Sequence, residues 1–180
     1  MDAKLVMQLR AQTGAGVLDA QKALVEAQGN FDVAADMLRK KGQAKAASRA
    51  ERETHEGQVG HYIHATGKVG ALVEVACETD FVSRSEEFQT LVHDLAMHIA
   101  ASNPLYLRRE DVPPEILERE KDIAAAEFVG SGKPADIIAK IVEGKLTKYY
   151  ADTCLLEQPF VKDEDQTVAE RVQHASAKTG

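Results

Sequence analysis

Apolar positions recur at helical spacing through the first forty residues, with punctuation between the runs. Leu5, Val6 and Leu9 share one helical face before Thr13-Gly14-Ala15-Gly16 interrupts it. Val17, Ala20, Leu24 and Ala27 predict a second helix that closes at Gly29. Asn30 is a suitable N-cap for a third, with Phe31, Ala34, Ala35 and Leu38 inward, Arg39, Lys40 and Lys41 at the dipole's negative end, and Gly42 as its stop. Residues 1–42 therefore read as a three-helix bundle. Residues 43–56 (QAKAASRAERETHE) are polar and alanine-rich, a partly helical linker. From Gly57 the period becomes two: Val59, His61 and Ile63 share one face of a strand, Thr66-Gly67-Lys68 is a turn, and Val69, Ala71, Val73, Val75 and Cys77 share a face of the next. Ser85 can cap a helix with Glu86 and Glu87 in its first turn and Phe88, Leu91, Val92, Leu95 and Ile99 as its stripe. Beyond Asn103-Pro104 the pattern is mostly helical. Leu105 to Leu107 is a short extended piece, Pro113-Pro114 opens a helix, and Gly130-Ser131-Gly132 closes it. Ile137 to Tyr150 form another helix, Pro159 interrupts an apolar segment, and a last helix runs through Val168 and Val172. Together these elements predict an α+β fold, with residues 57–180 as an α+β core.

Composition narrows the function classes. A chain of 180 residues, 44% hydrophobic and 28% charged, can bury one sizeable core or two small ones, which excludes a disordered or collagenous polymer. No apolar run reaches the ~18 residues of a membrane span, and the acid at position 2 spoils a secretory h-region, so a soluble, unprocessed chain without membrane contact is expected. Two distant cysteines, Cys77 and Cys154, build neither a disulfide framework nor a zinc site and suit a reducing cytoplasm. A net charge of -7 argues against direct nucleic-acid binding, and 5% aromatics without Trp offer little for base stacking. The basic run from Arg39 through Lys45, Arg49 and Arg52 is either a docking strip for an acidic partner or a solvated linker face.

Catalytic motifs fail one by one. His93 and His98 are five apart, on different sides of a helix, so a zinc pair is not formed there. Gly130-Ser131-Gly132-Lys133 has Glu127 where a phosphate loop needs Gly and Pro134 where it needs Ser or Thr. Thr13-Gly14-Ala15-Gly16 follows a helix rather than a strand and lacks the third glycine of a dinucleotide fingerprint. Cys77, in step with Val73 and Val75, reads as a small core residue rather than a nucleophile.

One segment resists a purely structural account. Thr79-Asp80-Phe81-Val82 sets an acid beside a large aromatic where a strand-to-helix loop is expected. In one reading Asp80 or Ser83 caps the coming helix and Phe81 folds back into the core. In the other Phe81 projects outward as an interface anchor with Asp80 beside it. On residue physics alone the first leads and both stay open.

Two stretches carry a resemblance. Leu9-Arg10-Ala11-Gln12-Thr13-Gly14-Ala15-Gly16-Val17-Leu18-Asp19 with Lys22-Ala23-Leu24 resembles the amino-terminal signature of the bacterial elongation factor Ts family, and Glu78-Thr79-Asp80-Phe81-Val82 resembles its second signature. The Gly29-Asn30 turn, the basic stretch and Gln158-Pro159-Phe160-Val161 occur in the family's order. The resemblance implies a ubiquitin-associated-like bundle, a core around an antiparallel sheet, and a guanine-nucleotide exchange factor for the GTPase elongation factor Tu. It implies that Thr79, Asp80, Phe81 and Val82 help dislodge the partner's Mg2+, with Phe81 wedged in an apolar pocket of the GTPase, and that Val17, Leu18 and Arg49 dock the small domain. No cofactor and no covalent chemistry of its own are implied.

The resemblance also implies that longer members carry a second half-core and a projecting coiled coil, for which this chain has no room, so that it is similar to the short form that pairs as a homodimer. It implies a closing strand after the last helix, whereas the chain stops at Ser176-Ala177-Lys178-Thr179-Gly180. A chaperone-type adaptor built on the same bundle is the alternative, and it would have no use for Thr79 to Val82.

Overall fold

The computed structural model describes residues 3–47 and 52–179, with backbone alone for 43 and 45–47. The architecture is α+β: three helices, then two small antiparallel sheets among further helices. The chain divides into two compact units, Met1–Met97 with Glu170–Gly180, and His98–Ala169.

In the first unit α1 (Ala3–Thr13), α2 (Val17–Glu26) and α3 (Phe31–Ala47) bury Val6, Leu9, Ala20, Ala23, Leu24, Ala34 and Leu38 against one another. Gly29, at φ +84, turns the chain between α2 and α3, and the Asn30 side chain accepts from the Asp32 and Val33 amides at 3.1 and 3.2 Å. Gly42 does not stop α3, contrary to expectation. A single interior glycine costs a helix only about 1 kcal/mol, and the following Gln43-Ala44-Lys45-Ala46-Ala47 are good helix formers that carry it on.

Strand β1 (Glu56–Ile63) pairs antiparallel with β2 (Gly70–Cys77), in the register Gly60↔Val73 and Val59↔Glu74. The alternating apolar residues of the two strands thus lie on opposite faces. Val73, Val75 and Cys77 pack on Phe88 and Val92 of α5 (Glu86–Ser102), whereas Val59 and Ile63 share the solvent face with Leu72. Gly60 explains the polarity of β1: any Cβ there would collide with Val92, so the strand turns its side-chain-free position toward the helix.

Between sheet and helix, Asp80–Ser83 form a single helical turn, α4, rather than a loop. In the second unit α6 (Pro114–Ala126) and α7 (Ala135–Thr153), the two helices expected on either side of Gly130-Ser131-Gly132, pack on each other as a pair. Of the short extended piece expected at Leu105 to Leu107, Tyr106 alone forms a bridge, parallel to Cys154, with a bend on either side. A second hairpin, β3 (Pro159–Phe160) with β4 (Asp163–Thr167), leads into α8 (Val168–Thr179), and Asp163-Glu164-Asp165 carries no apolar alternation that would predict it. The interior of this unit holds a polar group: His98 is fully buried, Nδ1 accepts from the Val161 amide (3.2 Å), and Nε2 meets Gln158 Oε1 (2.9 Å). The Gln158 amide nitrogen donates onward to the Asp152 carbonyl (2.8 Å), and Phe160 stacks on the imidazole.

Candidate functional site

The turn α4 is fastened from both sides. Upstream, the Cys77 thiol donates to the Thr79 carbonyl (3.2 Å), tying the turn to the end of β2. Thr79 is extended (φ -141, ψ 155), and its Oγ1 accepts from the Val82 amide (3.4 Å), so Thr79 caps α4, while Asp80 and Ser83, offered in one reading as caps of the coming helix, lie inside this turn. A residue with extended backbone and a β-hydroxyl is better placed than the two inside the turn, whose own amides need satisfying. Downstream, Ser85 donates to the Val82 carbonyl (2.7 Å) and accepts from the Phe88 amide (3.3 Å), which caps α5 as expected.

These clamps set the directions of the two apolar side chains. Successive helical residues point about 100° apart, so Val82 and Phe81 cannot both face the core. Val82 packs against the cluster of Cys77, Phe88 and Val92. Phe81 is 83% exposed. The reading in which it folds back into the core does not hold. Asp80 lies on the same turn, paired with Arg84 at 3.2 Å, four residues on, with its carbonyl accepting from Ser83 Oγ at 2.9 Å. The turn thus presents one aromatic ring flanked by one carboxylate. Leaving a phenylalanine in water forgoes about 1.5–3 kcal/mol of burial, a quantity available to any surface that covers it.

The other sequence-assigned positions belong to a different element. Val17 and Leu18 open α2, and Leu18 is 72% exposed. The N-cap of their helix is Gly16, which brings no side-chain hydrogen bond. Asp19, next in line, accepts from Lys41 of α3 (2.8 Å). Arg49 lies outside the described residues. The residue-level reading overlooked a third feature, the solvent face of the hairpin, where Val59, Ile63 and Leu72 are each more than 60% exposed. The signal for it was the antiparallel register, which sets Leu72 beside His61 and Val59 beside Glu74. Among the described residues no group of three or more His, Cys, Asp or Glu is placed to hold a metal ion.

Comparisons with known proteins identify the family. The family model described as "Elongation factor TS" matches residues 5–179. The chain is 56% identical to elongation factor Ts of Geotalea uraniireducens, over 97% of this chain and 81% of that protein. It is 49% identical to elongation factor Ts of Fervidobacterium nodosum, over 100% of this chain and 91% of that protein. With elongation factor Ts of Moorella thermoacetica it shares 51% identity, covering 97% and 86%.

Proposed function

The chain belongs to the elongation factor Ts family, and from that premise we propose that it accelerates GDP release from elongation factor Tu through the turn Thr79 to Val82. The observation that carries the reading is the posture of Phe81: an aromatic held outward by a turn whose neighbours are capped and packed. Such an anchor enters a pocket of the partner without unfolding anything in its own protein. Asp80 beside it offers a carboxylate to the groups that the wedge displaces. Mg2+ holds near-ideal octahedral geometry, so a small shift of its surroundings near the bound nucleotide removes much of its affinity. Because coupling is reciprocal, a factor that weakens nucleotide binding is itself weakened equally by the nucleotide, and it speeds exchange without changing the final equilibrium. No covalent step is required of this chain.

Val17 and Leu18, exposed at the start of α2, supply the second contact with the GTPase, with Arg49 as a third point on the linker. Residues 1–42 then act as a docking module, 43–56 as a basic linker, and 57–180 as the exchange core. A homodimer is part of the reading, supported by the apolar solvent face of Val59, Ile63 and Leu72. Among the described residues no helix is long and apolar enough to cross a membrane. The reading places the protein in the cytoplasm, working on the GTPase rather than on nucleic acid.

Release of fluorescent GDP from elongation factor Tu is the test. Substoichiometric protein should accelerate it severalfold or more, each molecule serving many GTPases. Release at the intrinsic rate would end the reading. Sedimentation at micromolar concentration checks the dimer, which a strictly monomeric profile would remove.

A further inference from the structure

Both surfaces assigned to the GTPase are flanked by contacts from one side chain on the last helix. Gly14, at φ +70, lies three residues before Val17, and a Cβ there would sit 2.7 Å from Lys178 Cγ and 3.2 Å from Lys178 Cα. The Lys178 stem therefore occupies the space over the α1–α2 turn that any other residue at position 14 would fill. The other end of the same side chain reaches Glu87, five residues after Val82, with 3.5 Å between ammonium and carboxylate. Glu87 is held in place by Arg171 at 3.2 Å, one α8 side chain on each of its oxygens. A second close approach repeats the pattern: a Cβ on Gly42 of α3 would lie 3.1 Å from Ala177 Cβ. Two glycines of the bundle thus accept two consecutive residues of α8, and Lys178 continues from the bundle to the base of the turn that presents Phe81.

We propose that α8 is a seat for the three-helix bundle, and that Lys178 is a positioning residue holding the Leu18 patch and the Phe81 turn in one fixed relation. This rests on the exchange reading and deepens it. Two docking patches on a rigid body bind as one bivalent ligand, because the second contact forms at the high effective concentration set by the first. A bundle swinging on its linker would instead have to be ordered at each encounter, at a cost in affinity.

The test locks the seat. A Gly42→Cys/Ala177→Cys variant of the full chain sets two Cβ atoms 3.1 Å apart, so the backbones must part by a few tenths of an ångström to reach the roughly 3.5 Å lower end of disulfide Cβ separations, and the native cysteines are buried and do not compete. Oxidised glutathione should close the crosslink within one chain, seen as a mobility shift on a non-reducing gel. GDP release is then followed against GTPase concentration. The seat predicts the same maximal rate and half-saturation in the oxidised and reduced forms. Failure of the crosslink to close while both new thiols remain reactive overturns the proposal. So does a locked protein that loses exchange and regains it on reduction, since the seat would then have to open. A protein inert in both forms overturns the exchange reading and the seat's role in it, while a closed crosslink still upholds the seat itself. In the second arm, Lys178→Ala should raise the half-saturating GTPase concentration roughly tenfold with the maximal rate unchanged, and Lys178→Arg should restore it. Loss of melting temperature without that split would reduce Lys178 to a packing residue and overturn its positioning role.

Discussion

The turn around Phe81 and the interior around His98 break the same rule in opposite directions. At the turn a large apolar ring stands in water. In the second unit an imidazole and a carboxamide sit where leucines are usual. The difference lies in who satisfies the misplaced group. His98 and Gln158 find their partners inside their own unit, through Val161, the Asp152 carbonyl and each other, so their burial costs little and their loss costs much. Phe81 is left exposed among the described residues, so its loss should cost the fold little. Polar groups satisfied internally belong to architecture, and the proposed function gives the apolar group held outward to recognition.

The sharpest way to break this contrast is His98→Ala. Removing the imidazole orphans the Val161 amide and the Gln158 oxygen and leaves a cavity, together about 3–5 kcal/mol of stability, readable by urea unfolding. Exchange by the folded fraction should be unaltered. If the variant unfolds at wild-type urea, the polar cluster is not architectural. Next in size is Phe81→Ala, expected to cost about 2 kcal/mol or more of coupling to the GTPase with melting nearly unchanged. A variant that melts early yet exchanges normally while folded would place Phe81 with His98 rather than against it.

Asp80→Ala should slow GDP release, and its exposed pair with Arg84 should contribute at most about 1 kcal/mol to stability. Equal losses in both assays would erase its distinction from an ordinary surface carboxylate. The smallest effect concerns a half-buried case. Burial holds the His174 imidazole below its ordinary 6.5, and Arg39, Arg171 and Lys178 push the same way while Glu170 opposes them. With the folded value depressed, the unfolded chain binds more protons just below 6.5, so the His174 contribution is present above that pH and lost as pH falls through the folded value. Melting temperature measured from pH 7.5 to 5 should therefore decline less steeply in His174→Gln than in the wild type. Parallel curves would mean that His174 plays no part in the acid response.

The elements whose local and global preferences agree were legible in the chain. Thr13 to Gly16, Gly29-Asn30 and Ser85 marked helix ends that the structure keeps, and the switch to period two at Gly57 marked the first hairpin. Gly42 misled because a glycine stops a helix only when the residues after it cannot continue it, and an alanine-rich run can. The direction of Phe81 was not legible: spacing puts it one residue from Val82, and only the caps from Thr79 and Ser85 decide which of the two goes inward. The His98 cluster was equally hidden, since its partners lie 60 and 63 residues away along the chain. What identified the family was the pair of signatures, a pattern of residue types rather than a consequence of periodicity.

The two cysteines are distributed one to each compact unit, both buried, with Cys77 at the end of β2 and Cys154 at the end of α7. Burial raises the Cys154 thiol above its ordinary range, which keeps the reactive thiolate scarce even before access is considered. Each thiol is consequently a clock for its own unit. A maleimide reaches Cys77 when the sheet parts from α5, and reaches Cys154 when the helical unit loosens, so two labelling rates from one sample would time two separate opening events. The wild-type chain thus carries the reporters for its own sub-global motions, with no probe to engineer and no tryptophan needed.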